Sequence, residues 1–181
     1  AAILDLDKFE VREDGLRIWV SGEPGSGKST CNCLIASQMI EQGGQVIVLD
    51  AHGEYERLWD ISPGRVKRIG YSGDPITEDS VDWCLDIVGE GYSLLLDLSH
   101  WGLEQTRFDK FVYDFTLGLY KLRRLQPKRT FIVVEEASDF IPQQLESGQV
   151  PNIKIFLKVV QQGRKFGLNF VLSAQRPSLV D

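Results

Sequence analysis

The 181-residue sequence predicts an α/β protein in which a mostly parallel sheet carries helices on both faces. Three observations lead to that class. Short runs rich in β-branched and aliphatic residues recur along the chain, and stretches with helical spacing separate them. A glycine-rich segment joins the first run to an apparent helix, the way a strand–turn–helix unit opens. A later run ends abruptly in two glutamates, Glu135 and Glu136, which marks a strand end turned toward polar chemistry.

The strand-like runs are Leu16 to Val20, Val46 to Leu49, Ser93 to Leu98, Phe131 to Val134 and Leu168 to Leu172. Between the third and fourth, a helix is expected from about Leu103 to Leu125, because Phe108, Phe111, Val112, Phe115, Leu119 and Leu122 share one stripe. A second amphipathic helix is expected over Ile153 to Gln162, with Ile153, Phe156, Leu157 and Val160 on its apolar face and Gly163 as its stop. Two stretches read as loops: Ser62 to Pro75, rich in Gly and Pro, and "PQQLESGQVP", Pro142 to Pro151.

Composition narrows the functional classes. Length and a hydrophobic content of 43% suit one folded domain over residues 1–181, read as a piece of a longer chain. With 20 basic and 26 acidic residues the net charge is −6, so nucleic acid or an anionic membrane would have to be met by a local patch. Cys31, Cys33 and Cys84 lack zinc-site spacing and their odd number does not suit a disulfide framework, which points to a reducing, cytoplasmic location. No apolar stretch approaches the roughly 18–20 residues of a membrane span.

The strongest motif is "GEPGSGKST": Gly22, Glu23, Pro24, Gly25, Ser26, Gly27, Lys28, Ser29 and Thr30. It matches G-x-x-x-x-G-K-[ST] and lies between the strand "LRIWV" and a helix, the context this phosphate-binding loop requires. Its glycines let successive N–H groups and a helix N-terminus face phosphate oxygens. Lys28 is then expected on the β and γ phosphates of ATP, and Ser29 on Mg²⁺. A second acidic region is needed, and "TFIVVEE" supplies it. Glu135 is expected as the metal-shell acid and Glu136 as the base that polarises water, with strand alternation sending them to opposite sides.

Three further stretches, "VIVLDAHGEY" (46–55), "DLS" (97–99) and "GRKFGLNFVLSAQRP" (163–177), complete a pattern. Together with the two motifs above they resemble the core of the HerA/FtsK superfamily of P-loop ATPases, the HerA branch in particular, over nearly the whole chain. The resemblance implies a RecA-like ATPase core, ATP and Mg²⁺ as cofactors, and a homo-oligomeric ring, a hexamer, that moves double-stranded DNA. A nuclease or other protein partner is left open. Residue by residue, Lys28, Ser29 and Glu136 match the family's phosphate, metal and catalytic positions, and Gln175 matches the sensor of the γ-phosphate. Arg164 matches the arginine that reaches a neighbouring subunit's nucleotide, with Arg176 a second candidate, and Asp50 and Glu54 match acids near the site. His52 receives no chemistry.

The sequence departs from the family's Asp-Glu at Glu135, whose side chain is one methylene longer. The segment expected at the pore, Pro142 to Pro151, carries Glu146 and no cation; Lys154 and Lys158 follow it, and "YKLRRLQPKR" (120–129) is the most basic run. Two other functional classes are alternatives: a nucleotide-controlled assembly or signalling ATPase, and a small-molecule kinase, the latter disfavoured because the sequence shows no arginine-rich lid and because Glu136 reads as a water activator.

Overall fold

The computed structural model describes residues 16–61, 64–70, 73–77, 79–101, 104–140 and 150–175. Six parallel strands, β1 (Arg17–Ser21), β2 (Gln45–Asp50), β3 (Val66–Gly70), β4 (Ser93–Asp97), β5 (Thr130–Val134) and β6 (Leu168–Ala174), form one sheet in the order β1-β6-β5-β2-β4-β3. The helices are α1 (Lys28–Glu41), α2 (Glu56–Ile61), α3 (Val81–Gly89), α4 (Gln105–Leu125), α5 (Ala137–Phe140) and α6 (Val150–Gln162).

β2, β4 and β5 are buried along their whole length, because helices cover both faces of the sheet. On one face Cys33, Ala36, Met39 and Ile40 of α1 pack with Leu58 of α2 against Val46, Val48, Phe131, Val133 and Val171. On the other, α3, α4 and α6 set Cys84, Phe111, Phe115, Leu119, Phe156 and Val159 against Ile47, Leu94, Leu96, Ile132 and Phe170. Each Val, Leu, Ile, Met or Phe among them contributes about 1.5–3 kcal/mol by leaving water.

All five expected strands are present, and the sixth lies inside the stretch read as a loop. Val66–Gly70 forms β3, an edge strand pairing β4 from Val66↔Ser93 to Gly70↔Asp97. Its exposed Lys67 and half-buried Arg68 blur the apolar signal, as charges on an edge strand do. The long helix runs Gln105–Leu125 as expected, apart from Leu103, which lies outside the described residues. α6 starts at Val150, three residues before the expected Ile153, because Pro151 belongs to its first turn, where a missing N–H costs nothing. Of the loop expected over Pro142 to Pro151, residues 142–149 lie outside the described set.

A buried cation ties the sheet's amino end together. Arg123, 1% exposed, donates from Nε to Thr130 Oγ1 at 2.7 Å and from Nη2 to Gln45 Oε1, while Gln45 Nε2 donates to Val88 O at 2.9 Å. The last turn of α4 is thereby fixed to β2, β5 and the end of α3. Arg123→Ala strands two buried acceptors and opens a cavity, and a loss of roughly 3 kcal/mol is expected. A guanidinium denaturation curve with an unshifted midpoint would contradict that.

Candidate active site

The parallel arrangement puts every carboxyl strand end on one side, and the candidate site is a cleft of about 580 Å³ there. Its lining comes from the glycine-rich loop and the start of α1 (Pro24, Gly25, Gly27, Lys28, Ser29 and Thr30), from the ends of β5 and β6 (Glu135, Glu136 and Gln175) and from the segment after β2 (Glu54 and Arg57). Strand order creates this space. Because β6 is inserted between β1 and β5, the strands that lead into the loop and into the two acids run two strand spacings apart, about 9–10 Å, and the side chains reach across from there.

The glycine-rich loop has the backbone its chemistry needs. Gly25 and Gly27 have φ of 76° and 91°, values an L side chain resists. Gly27 is the N-cap of α1 and no side chain caps the helix, so its first N–H groups are left for an anion. Lys28 Nζ donates to the carbonyls of Gly22 and Glu23 at 2.9 and 3.3 Å, which holds its charge at the loop's mouth.

The two glutamates sit beyond the strand. β5 ends at Val134, so a turn, and not the pleat, separates the side chains. Glu136 has φ 43°, the left-handed conformation, among the described non-glycine residues the sole positive value. Its carboxylate accepts from Ser138 Oγ at 2.6 Å and from the Gln175 backbone N–H at 3.2 Å, which anchors it across the cleft from Lys28. Glu135 turns inward, is 6% exposed, and lies 3.4 Å from Ser29 Oγ.

Glu135 shares that corner with two other acids. Asp50 accepts from the N–H groups of His52 (3.1 Å), Gly53 (2.8 Å) and Tyr55 (3.0 Å), clamping the turn after β2. The turn delivers Glu54 to Ser29 Oγ, its hydrogen-bond donor. Hydrogen bonds from Ser29 and Glu135 hold the Glu54 carboxyl below its ordinary range. Burial, then hydrogen bonding and repulsion from Asp50 and Glu54, pushes Glu135 up to about 10.

Among the described residues no group of three or more His, Cys, Asp and Glu could hold a metal by itself. Mg²⁺ on a nucleotide does not need one, since phosphates and waters fill most of its shell and one or two protein oxygens suffice. Ser29 Oγ and the carboxyls of Glu54 and Glu135 are hard oxygen donors of that kind. Glu135 Oε2, buried without a hydrogen-bond partner, marks where positive charge is lacking. The residues therefore fit Mg²⁺.

A model of the helicase HerA central domain matches residues 17–112, over half of the chain. The chain belongs to the HerA central-domain family. It is a P-loop ATPase, an ATP-driven motor core of the HerA/FtsK type. The match spans β1 to the first third of α4; Glu135, Glu136, Arg164 and Gln175 lie beyond it.

The genome packaging NTPase B204 from Sulfolobus turreted icosahedral virus 2 has a similar fold. Its complex with AMPPCP is 17% identical, covering 93% of this chain and 68% of that one with a TM-score of 0.54. Its complex with AMP is 16% identical, covering 93% and 69% with a TM-score of 0.56. At this identity the likeness establishes the fold alone. No curated protein sequence matches the chain.

Within this HerA-family core, the cleft gathers the expected loop, Ser29, Glu135, Glu136 and Gln175. It does not include Arg164. That residue occupies the 3₁₀ turn Gly163–Phe166 before β6, at the opposite end of a seven-residue strand, about 20 Å away. Arg176 lies outside the described residues. Arg57, which no sequence motif marks, and His52, to which the sequence assigned no chemistry, also line the cleft. Both follow the carboxyl end of β2, the position from which an open parallel sheet meets ligands.

The three thiols are free, with Cys31 exposed and Cys33 and Cys84 buried. Burial pushes Cys33 up to about 11 and Cys84 up to about 12. Among the described residues no helix is long and apolar enough to cross a membrane.

Proposed function

We propose that the chain is the motor core of a cytoplasmic, homo-oligomeric ring, a hexamer, in which Mg²⁺–ATP hydrolysis moves double-stranded DNA. The observation that carries the catalytic part is the placement of Glu136. Its carboxylate is held by Ser138 and the Gln175 N–H across the cleft from the phosphate loop, within reach of a water on the far side of a γ-phosphate. Mg²⁺, when bound, supplies charge neutralisation at the phosphates. Lys28 and the N–H groups of α1 bind the phosphates, Ser29 and the Glu54 and Glu135 carboxyls orient the metal, and Glu136 takes the proton of the attacking water.

The ring part rests on the family and on Arg164. A residue at the amino end of β6 has no route to the nucleotide of its own subunit, and a neighbour's nucleotide is the site it serves in this reading. Arg164→Ala should then lower DNA-stimulated turnover by roughly 10³-fold and leave ATP binding intact. Turnover with and without duplex DNA, alongside ATP affinity, tests this; an Arg164→Ala protein with full turnover would remove the finger. Slow, DNA-insensitive turnover with ATP-dependent assembly would favour a nucleotide-controlled assembly ATPase instead.

A further inference from the structure

The segment after β2 carries a cation to which neither the phosphate loop nor the two glutamates give a role. Arg57 is the second residue of α2, is exposed, and lines the cleft together with Glu54. Its neighbours are each committed elsewhere. Tyr55 is buried, its hydroxyl accepting from Asn32 Nδ2 at 2.8 Å; Leu58 is in the core; Glu56 accepts from Arg68 Nη1 of β3 at 2.8 Å. The turn leading into α2 is equally fixed. Asp50 holds three of its N–H groups, Leu98 N donates to Asp50 O at 2.8 Å, and a Cβ on Gly53 would lie 3.4 Å from Ser99 Oγ, which donates to Asp97 at 2.6 Å. The stretch "DLS" is thus the seat of this turn. Arg57 is the side chain of the segment that is left to the cleft.

Nothing in the chain satisfies its guanidinium. Among the described residues Arg57 makes no hydrogen bond and no ion pair, although Glu54 and Glu135 line the same cleft; both are turned to Ser29 instead. Local structure gives no reason for a cation there either, because positive charge in the first turn of a helix opposes the helix dipole. Its charge does reach α1. Burial, then Asp50 and Glu135, push the Cys33 thiol up, and Arg57 acts on it in the opposite sense. Cys33 lies one turn beyond Ser29 on α1, so Arg57 flanks the side of the helix that carries the metal-binding hydroxyl. Lys28, by contrast, is held at the loop's mouth by Gly22 and Glu23.

The partner that suits a planar guanidinium in a phosphate cleft is a pair of phosphate oxygens. Loop amides and the start of α1 surround the β-phosphate, and a metal on Ser29 bridges the β- and γ-phosphates. A cation beside Ser29, Glu54 and Glu135 is then closest to the outer of the two.

We propose that Arg57 is a γ-phosphate contact supplied by the nucleotide's own subunit, through which the cleft distinguishes ATP from ADP. This rests on Mg²⁺–ATP occupying the cleft and needs neither the ring nor DNA. The guanidinium donates to γ-phosphate oxygens from the β2 side, and once that phosphate is gone ADP is held without it.

The test is equilibrium binding of ATPγS and of ADP, each with Mg²⁺, to the 181-residue chain and to its Arg57→Ala and Arg57→Lys variants. Arg57→Ala should weaken ATPγS binding by roughly 10–100-fold, the worth of hydrogen bonds to a charged group, and change ADP binding by less than twofold. Arg57→Lys, which keeps the charge and loses the fork, should recover part of that loss. The ligand-free melting temperature should stay where it is. Equal losses for the two nucleotides would give Arg57 a part in shaping the cleft and overturn the inference, and so would an unchanged ATPγS affinity; in either case the wild type still binds ATP and that reading stands. A wild type that binds neither nucleotide would overturn the inference together with the Mg²⁺–ATP reading of the cleft.

Discussion

Glu136→Gln is expected to lower the turnover of ATP by about 10²–10⁴-fold while leaving ATP affinity within a few-fold of wild type. The amide keeps the shape of the side chain, and its oxygen can still accept from Ser138 and the Gln175 N–H, so the left-handed turn at residue 136 is retained. What is lost is the ability to take a proton from water. Single-turnover hydrolysis measured beside equilibrium binding of a fluorescent ATP analogue separates the two effects. A variant that binds poorly and also turns over poorly would mean that Glu136 shapes the cleft instead of acting in it.

Glu135→Gln is expected to move stability and metal use in opposite directions. In metal-free, nucleotide-free protein the Glu135 carboxyl is pushed up to about 10 from an ordinary 4.5 by burial and by Asp50 and Glu54. A raised acid contributes stability in full below the unfolded value and loses it as pH climbs toward the folded one. Wild-type stability should therefore decline between pH 4.5 and 10 from this group, and the neutral glutamine should flatten the decline. At pH 8 the variant should melt several degrees higher. With Mg²⁺ and ATPγS the order should reverse, because the glutamine offers the metal shell no negative charge. Melting curves at pH 5 and 8, with and without ligand, give all four comparisons, and superimposable wild-type and variant curves would contradict the crowding of Asp50, Glu54 and Glu135.

The same corner shows what a sequence can and cannot convey. The phosphate loop was legible because all its residues act within one turn, where spacing alone sets geometry. The central strands were legible because burial on both faces leaves continuous apolar runs, as in "VIVL" and "FIVV". β3 was hidden, since Val66 packs on one face of the sheet and Ile69 on the other, and Lys67 and Arg68 between them break both an alternating and a continuous apolar pattern. Glu135 was expected to lie opposite Glu136 by strand alternation. The strand stops at Val134, before either glutamate, and the left-handed backbone of Glu136 does the separating. The contact of Glu54 with Ser29 spans 25 residues and exists because Asp50 folds the intervening turn, a long-range consequence that no local pattern encodes.

The most direct test of a shared site is to mix two inactive proteins. Lys28→Ala removes the phosphate lysine and leaves Arg164 in place; Arg164→Ala does the reverse. Each alone should be nearly inactive in DNA-stimulated hydrolysis. In mixed rings an intact pocket sometimes faces an intact arginine, so an equimolar mixture should recover about a quarter of wild-type activity if association is random. A mixture no more active than its two components would contradict a site completed by the neighbouring subunit.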